Sequence, residues 1–418
     1  MRAIRAVVAL LMLALVVSGC SGLVSQERPS SPIVQDNGDT TGPDNEASPD
    51  ADKDTPGSDS DSSHASESPT QPRTTEAVWV AAGDVMLHMP QYPGAYDKAS
   101  KRYVFDPFFE QVAPILSSGD WSIVNLEVPL GGKELEYTGY PMFNAPPEMA
   151  EALKNSGVTI VGTANNHSLD RKETGVVRTL EALEAQGLVF KGTARSQAEA
   201  DQAVIVEKNE IKMGFLAYTY GTNGVRIPAD KPYLVSLIDE DQMVEDIKQL
   251  KSAGADFITV ALHFGIEYQF TPSEEQQRLA HKLIEAGADI IAGSHPHVVQ
   301  PYELVDAVYE DGTPRQGVIL YSMGNFISNQ RGDFKDFGVI FRIHVTKHHD
   351  SGHIELSQVE PIPTWVHKYK ENGSYQYRIL PLEQTLSERS QPGLSSQDYK
   401  QLESSWKVLD TRLGSMLN

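Results

Sequence analysis

Six short apolar runs of the sequence each lead, within four residues, into residue types that bind metal ions. The residues that follow the runs are, in chain order, Gly83-Asp84, Asn125-Leu126-Glu127, Asn165-Asn166-His167, His263, His295-Pro296-His297 and Asn325. Carboxylate, amide and imidazole groups without cysteine form a ligand set that suits Mn, Fe, Zn or Mg. Two such ions side by side can hold a phosphoryl group, generate a hydroxide nucleophile and stabilise the leaving oxygen. This chemistry needs a ligand that bridges both ions, and the carboxylate of Glu127 or Asp84 can do so.

The elements that must position these residues follow an α/β pattern. The six runs are rich in Val and Ile and alternate with helical patterns, which is typical of buried strands connected by helices,. Sites in open α/β sheets form beyond the carboxyl ends of strands, so we expect the six groups of residues to converge in space. Three helices are predicted: one from Pro146-Pro147 to near Gly157, one over Glu173 to Gln186, and one that the capping box Ser273 with Gln276 begins and Gly287 ends,.

Each of these residues also has an interpretation without chemistry. Asp84 after Gly83 could belong to a turn or a helix cap, and Glu127 could be a solvated loop charge,. Asp170 could cap the helix that follows it. Asn165 and Asn166 could satisfy the backbone of a turn, and His295 and His297 could be loop histidines without a metal ion.

The amino terminus has the three parts of an export signal. Arg2 and Arg5 provide positive charge, an apolar stretch covers Ala6 to Val17, and the single cysteine of the chain, Cys20, follows two small residues,. The run Val17-Ser18-Gly19-Cys20 resembles the bacterial lipobox, which implies that residues 1–19 are removed and that Cys20 carries lipid. We therefore expect an extracytoplasmic protein that is lipid-anchored to the outer face of the bacterial cell membrane.

Residues 20–76 are predicted to be a disordered linker. The segment from Ser21 to Glu76 consists mainly of Ser, Pro, Asp, Thr, Gly and Glu, and its 12 acidic and 3 basic residues give a net charge of −9,. The whole chain has a net charge of −22, which argues against nucleic acid as a partner,.

The ordered set of motifs, together with Asp170 and Gly324-Asn325-Phe326, resembles the CapA family of poly-γ-glutamate capsule biosynthesis proteins. That family is a branch of the calcineurin-like metallophosphoesterase superfamily. The resemblance covers residues 77–345 and implies a four-layer α/β/β/α sandwich. Residues 346–418 are expected to form a C-terminal extension, packed on the main domain, with a few strands and then a helix around Ser396 to Leu413.

The resemblance also implies roles for individual residues and two divalent metal ions. His167 and Asp170 would be catalytic, with His167 protonating a leaving oxygen. Asn125, Asn165, Glu267 and Asn325 would contact substrate; Glu267 lies in a run that is similar to the family's His-Trp-Gly-x-Glu-Tyr. The implied metal ligands are Asp84, Glu127, Asn166, His263, His295 and His297.

One position departs from the superfamily pattern. The first metal motif of the superfamily is Asp-x-His, but Met86 stands two places after Asp84. One ligand of the first ion is therefore missing, unless His88 or another group replaces it.

Two functions fit these features. The first is a metal-dependent hydrolase that acts on a phosphoester, or less readily an amide, at the cell surface. The second is a non-catalytic component with a degenerate metal site that binds or helps to export poly-γ-glutamate or another anionic envelope polymer, in company with other capsule-synthesis membrane proteins. A serine hydrolase is disfavoured, because the sequence has no Gly-x-Ser-x-Gly elbow,.

Overall fold

The computed structural model describes residues 73–309 and 311–417. The predicted signal peptide 1–19, Cys20 and nearly all of the predicted linker 20–76 lie outside the described residues. Within the described part, no helix is both long and apolar enough to cross a membrane.

The described residues form sixteen strands, of which the first begins at Thr74. In chain order they are β1 (Thr74–Val85), β2 (Tyr96–Asp97), β3 (Arg102–Tyr103), β4 (Trp121–Leu126), β5 (Ile160–Gly162), β6 (Val189–Lys191), β7 (Ile205–Lys208), β8 (Ile211–Thr219), β9 (Phe257–His263), β10 (Ile290–Ser294), β11 (Tyr302–Val308), β12 (Pro314–Leu320), β13 (Asn325–Ile327), β14 (Phe337–His348), β15 (Ile354–Glu371) and β16 (Ser374–Pro381).

Ten α-helices accompany the strands. They are α1 (Tyr92–Ala95), α2 (Asp106–Phe109), α3 (Ala113–Leu116), α4 (Glu148–Asn155), α5 (Lys172–Ala185), α6 (Gln197–Ala200), α7 (Glu240–Ser252), α8 (Glu274–Glu285), α9 (Leu382–Glu388) and α10 (Ser396–Leu413). The three predicted helices are confirmed as α4, α5 and α8, and the capping box of α8 is present in both directions.

Two mixed sheets carry the strand ends that the sequence singled out. The first sheet has the order β16-β15-β14-β1-β4-β5-β6, with β13 paired to the end of β1, and the second has the order β11-β12-β10-β9-β8-β7. Strands β1, β4, β5 and β6 are parallel, as are β8, β9, β10 and β12. Parallel strands bring their carboxyl ends to one edge, so each sheet presents its polar strand ends together.

The core has three apolar layers, which makes the fold a four-layer α/β/β/α sandwich, as predicted. Trp79 and Trp121 of the first sheet pack with Phe215 and Phe257 of the second, between the sheets. A second cluster fills the space between the outer face of the first sheet and helices α2 to α5. A third lies between the outer face of the second sheet and helices α7 and α8.

The C-terminal residues complete the sandwich. Strands β15 and β16 extend the first sheet by antiparallel pairing with β14. Helix α10 covers the predicted Ser396–Leu413, and its Leu402, Leu409 and Leu413 join the cluster between the sheets. The extension therefore shares its core with the rest of the domain.

Candidate metal centre

Asp84 is positioned by a close approach between the end of β1 and the loop before β13. A Cβ atom on Gly83 would lie 1.9 Å from the carbonyl oxygen of Gly324, so only glycine fits at position 83,. The backbone N–H of Asp84 donates to the same carbonyl at 2.9 Å. Asp84 is thus a fully buried strand residue, and the interpretation as a surface turn or helix cap is wrong.

Asn125 connects Asp84 of the first sheet with His263 of the second. Its Nδ2 atom donates to Asp84 Oδ1 at 2.8 Å and lies 3.2 Å from His263 Nδ1. Burial opposes ionisation of Asp84, but hydrogen bonds from His297 and Asn125 hold its pKa below the ordinary value,. The carboxylate of Asp84 is therefore ionised and fixed in orientation.

Glu127 is a buried carboxylate without a hydrogen-bond partner on either oxygen. The Oε1 atom of Glu127 lies 3.4 Å from Nε2 of His263 and 3.7 Å from Nε2 of His297. Burial, together with the charge of Asp84, raises the pKa of Glu127 well above its ordinary value. The interpretation of Glu127 as a solvated loop charge is wrong, because an unpartnered buried carboxylate calls for a cation.

His263 ends β9 and has polar neighbours on both ring nitrogens. Nδ1 lies 3.0 Å from Ser294 Oγ, and Nε2 lies 3.2 Å from Asn166 Oδ1. Burial lowers the pKa of His263 to about 3, so the ring is neutral and able to bind a metal ion,.

His295 and His297 occupy strained backbone positions in the loop after β10. Their φ angles are 100° and 58°, a left-handed region that non-glycine residues rarely adopt and that clusters at functional sites,. Burial lowers the pKa of His295 to about 2, and its Nδ1 atom has no hydrogen-bond partner. Burial also disfavours the charged form of His297, but the carboxylates of Glu127 and Asp84 raise its pKa to about 9.

The donor atoms form three overlapping groups that fit divalent metal ions. In each group one ligand atom per residue lies within 4.8 Å of the others. The ligand set, the unpartnered oxygens of Glu127 and the neutral rings of His263 and His295 all match what a divalent cation requires,. The groups are Glu127 with His263 and His295, Asp84 with Glu127 and His297, and Glu267 with His295 and His297.

His167 and Asp170 form a hydrogen-bonded pair beside this cluster. His167 Nδ1 lies 2.7 Å from Asp170 Oδ2, which also accepts the backbone N–H of Phe143 at 2.7 Å. The Phe143 ring packs edge-on against His167 at 4.6 Å. Asp170 does not cap the following helix, whose N-cap is Arg171 without a side-chain cap bond. The pair has the form of a histidine oriented by a carboxylate, as general acid–base catalysis requires.

The residues predicted to contact substrate have different environments. Asn165 is buried, and its amide bonds to the backbone of Leu126 and of its own loop. Asn325 is also buried and donates to backbone oxygens of His297 and Lys335, while its Oδ1 atom has no partner. Glu267 is exposed beside the histidines. Substrate contact stays a prediction for all of these residues.

Two residues of the loop after β8 were missed from the sequence. The Tyr220 ring lies 4.7 Å from the His295 ring, and its hydroxyl is 3.4 Å from Asn166 Nδ2. Asn223 Nδ2 lies 3.4 Å from His167 Nε2. Tyr220 directly follows the carboxyl end of a parallel strand, so the rule that found the other residues would have found it had β8 been recognised.

Met86, which stands in place of the motif's histidine, and His88, which could replace that histidine, both lie outside the groups of candidate ligands. Met86 is buried in the core cluster on the helix side of the first sheet. His88 Nδ1 accepts the backbone N–H of Asn329 at 3.3 Å, its ring packs edge-on against Phe143, and burial lowers its pKa to about 4. His88 belongs to none of the three ligand groups of the described residues.

Comparison with known families matches the bacterial capsule synthesis protein PGA_cap over residues 78–330. The chain belongs to this family. The resemblance predicted from the motifs is therefore confirmed.

Two capsule biosynthesis proteins are similar to this PGA_cap family member over about two thirds of its length. Capsule biosynthesis protein CapA of Bacillus anthracis is 30% identical over 272 residues, which cover 63% of this chain and 62% of that protein. PGA biosynthesis protein CapA of Bacillus subtilis (strain 168) is 29% identical over 294 residues, which cover 66% and 70%. The chain thus spans less than two thirds of the length of the Bacillus anthracis relative.

Among solved structures, the calcineurin-like phosphoesterase YfkN from Bacillus subtilis is similar, with a TM-score of 0.37 and 16% identity. The match covers 81% of this chain and 99% of that chain.

Proposed function

We propose that this PGA_cap family member is a metal-dependent phosphoesterase that takes part in the synthesis or export of a capsule polymer. The observation that carries the proposal is Glu127, a buried carboxylate that lacks a hydrogen-bond partner and faces ring nitrogens of His263, at the end of β9, and of His297, in the loop after β10. A buried charge of this kind is stable only with a cation beside it.

In this proposal some side chains bind the metal ions, and the pair of His167 and Asp170 transfers a proton. Divalent ions in such a centre supply positive charge that holds a phosphoryl group and acidifies a water molecule. Asn125 orients Asp84 towards the cluster through its 2.8 Å hydrogen bond. Asp170 keeps a proton on Nδ1 of His167, which leaves Nε2 to exchange a proton with a leaving oxygen,.

The substrate is proposed to be an anionic polymer of the cell envelope, such as poly-γ-glutamate, or a phosphoester formed during its synthesis. The support comes from the names of the relatives, which are capsule and PGA biosynthesis proteins. Other membrane proteins of capsule synthesis are the proposed partners. Bound cations would offset the repulsion between an acidic protein and a polyanion.

The proposed location is the outer face of the cell membrane, with lipid on Cys20. The support is the signal-like sequence that ends at the only cysteine,. Replacing Cys20→Ser should release the protein from the membrane fraction into the medium, whereas retention in the membrane would contradict the lipid anchor.

Hydrolysis of two phosphodiesters with different leaving groups tests the enzyme proposal. His167→Asn should lower the metal-dependent kcat by about 10²–10⁴-fold for an alkyl leaving group, which needs a proton. The loss should be much smaller for a nitrophenyl leaving group, which departs without one. A matched control is His281→Asn, because His281 also pairs with a carboxylate, that of Glu303, but lies outside the cluster. Wild-type protein without metal-dependent hydrolysis, or equal losses for both esters, would contradict the proposal.

One observation favours the second candidate, a non-catalytic component that binds or exports a polyanion. Met86 stands where the superfamily has a histidine ligand, and the structure packs it into the core. A first ion that lacks this ligand would bind less tightly. Wild-type protein that binds polyglutamate but hydrolyses neither ester would support this candidate.

A further inference from the structure

The loop between β9 and α8 is held against the loop that carries His295 and His297. The N–H of Phe264 donates to Ser294 O at 3.1 Å, and the N–H of Tyr268 donates to Pro296 O at 2.8 Å. Gly265 and Tyr268 have φ angles of 98° and 66°, which turn the chain back on itself. The side chain between these two bonds, Glu267, is therefore placed by backbone contacts.

Gly265 allows this loop to pack tightly over the start of α8. A Cβ atom at Gly265 would lie 2.5 Å from Gln276, the residue of the capping box. Gln276 is itself fixed, since its Nε2 atom donates to Gln300 Oε1 at 3.0 Å. Gln300 in turn donates to the backbone of Gln269 and Thr271, so the loop is held at both of its ends.

This placement brings Glu267 to the metal cluster from the solvent side. A carboxylate oxygen of Glu267 and a ring nitrogen each of His295 and His297 lie within 4.8 Å of one another. Both histidines are more than nine-tenths buried, and His295 Nδ1 has no hydrogen-bond partner. Clustered carboxylate and imidazole donors, with a buried imidazole nitrogen that lacks a partner, are the groups that a divalent cation requires.

We propose that Glu267 is a metal ligand that binds an ion, together with His295 and His297, from the open side of the cluster. The inference rests on the proposed metal centre and goes beyond it, because the ligands that the family resemblance implies do not include Glu267. Glu267 shares His297 with the group of Asp84 and Glu127, and it shares His295 with the group of Glu127 and His263, so its carboxylate borders both groups.

An added carboxylate ligand changes which metal ion the centre prefers. Asp84 and Glu127 would surround one ion mainly with carboxylate oxygens, and Glu267 would add a carboxylate oxygen beside His295 and His297, which suits Mn or Mg,. His263 and His295, with the amide of Asn166, would surround the other ion with more imidazole, which suits Zn or Fe,. The two sites are therefore expected to differ in selectivity.

Calorimetric titration of the metal-stripped, full-length protein with Mn²⁺ tests this role. The wild type should show two binding events. Glu267→Gln should weaken one of them by about tenfold or more and leave the other unchanged. Glu267→His should restore tight binding at that site but for Zn²⁺ in preference to Mn²⁺. A matched control is Glu181→Gln, an exposed glutamate of α5, which should bind like the wild type.

The outcomes separate this inference from the metal centre itself. If Glu267→Gln keeps two binding events of wild-type affinity while His295→Ala loses one, Glu267 is not a ligand and the metal centre stands. If the wild type binds no Mn²⁺, Zn²⁺ or Fe²⁺, both the inference and the proposed function fall.

Discussion

Two buried carboxylates of this protein, Asp289 and Glu127, have opposite surroundings. Asp289 precedes β10 at its amino end, and each of its oxygens has a partner: Arg315 Nη1 at 3.1 Å and the N–H of Ile258 at 2.8 Å. Glu127 follows β4 at its carboxyl end, and neither oxygen has a hydrogen-bond partner. The charge of Asp289 is balanced by Arg315 of the same chain. Glu127 has no such partner, which is what a carboxylate that binds a metal ion requires.

The difference shows how burial alone fails to identify a functional carboxylate. Burial raises the pKa of both residues. The two residues differ in their partners, since Asp289 has hydrogen-bond partners and Glu127 has none. They also differ in position, since Asp289 lies at the amino end of a strand and Glu127 at the carboxyl end of another. Asp289 binds two segments of the second sheet together, and Glu127 lies where the ends of both sheets meet.

Removing the partner of Asp289 should give the largest effect on stability. Arg315→Met leaves the buried carboxylate of Asp289 without its cationic partner, and we expect the free energy of unfolding to fall by about 3–5 kcal/mol in urea denaturation. The control Arg278→Met removes an exposed ion pair with Glu240 and should cost about 0–1 kcal/mol,. Similar losses for the two variants would contradict the comparison.

Glu127→Gln should act in the opposite direction in the metal-free protein. Loss of an unpartnered buried charge is expected to raise the free energy of unfolding by roughly 1–3 kcal/mol at neutral pH. Metal should stabilise the wild type by about 2.7 kcal/mol at a concentration of 100 times Kd, and the variant by much less. Thermal or urea unfolding with and without Mn²⁺ measures both effects. A variant that is less stable than the metal-free wild type would show that Glu127 is satisfied within the chain.

The pH dependence of stability should show the smallest effect. The pKa of Glu127 is near 4.5 in the unfolded chain and raised well above that in the folded chain. Between these values the folded chain still binds a proton that the unfolded chain has released, so rising pH lowers stability.

The metal-free wild type should therefore lose stability relative to Glu127→Gln as pH rises above about 4.5, by at most about 1.4 kcal/mol per pH unit. Below that pH the difference between the two proteins should be constant. A difference that instead favours the wild type as pH rises would mean that the folded chain lowers the pKa of Glu127.

The strand ends that carry the candidate ligands could be predicted from the sequence, because an apolar run followed by ligand residues is a local signal. The helix around Ser396–Leu413 was also predicted from the sequence, and the structure confirms it. The environment of Glu127 was left open, since only the meeting of two sheets buries it without a partner.

Other parts depend on contacts between distant segments. The long pairing of β14 with β15 has no local signal, because it is set by packing against α10 and the rest of the first sheet,. Glu267 was interpreted as a substrate contact, since nothing in its own run shows that Tyr268 bonds to Pro296 and fixes the loop beside His297.

The position of bound Mn²⁺ tests most directly whether Glu127 is left for a cation. Crystals soaked in Mn²⁺ and measured at the manganese absorption edge should show anomalous density within bonding distance of a Glu127 oxygen and of a ring nitrogen of His297 or His263. Saturating Mn²⁺ without anomalous density at Glu127 would contradict the assignment of this carboxylate to a metal centre.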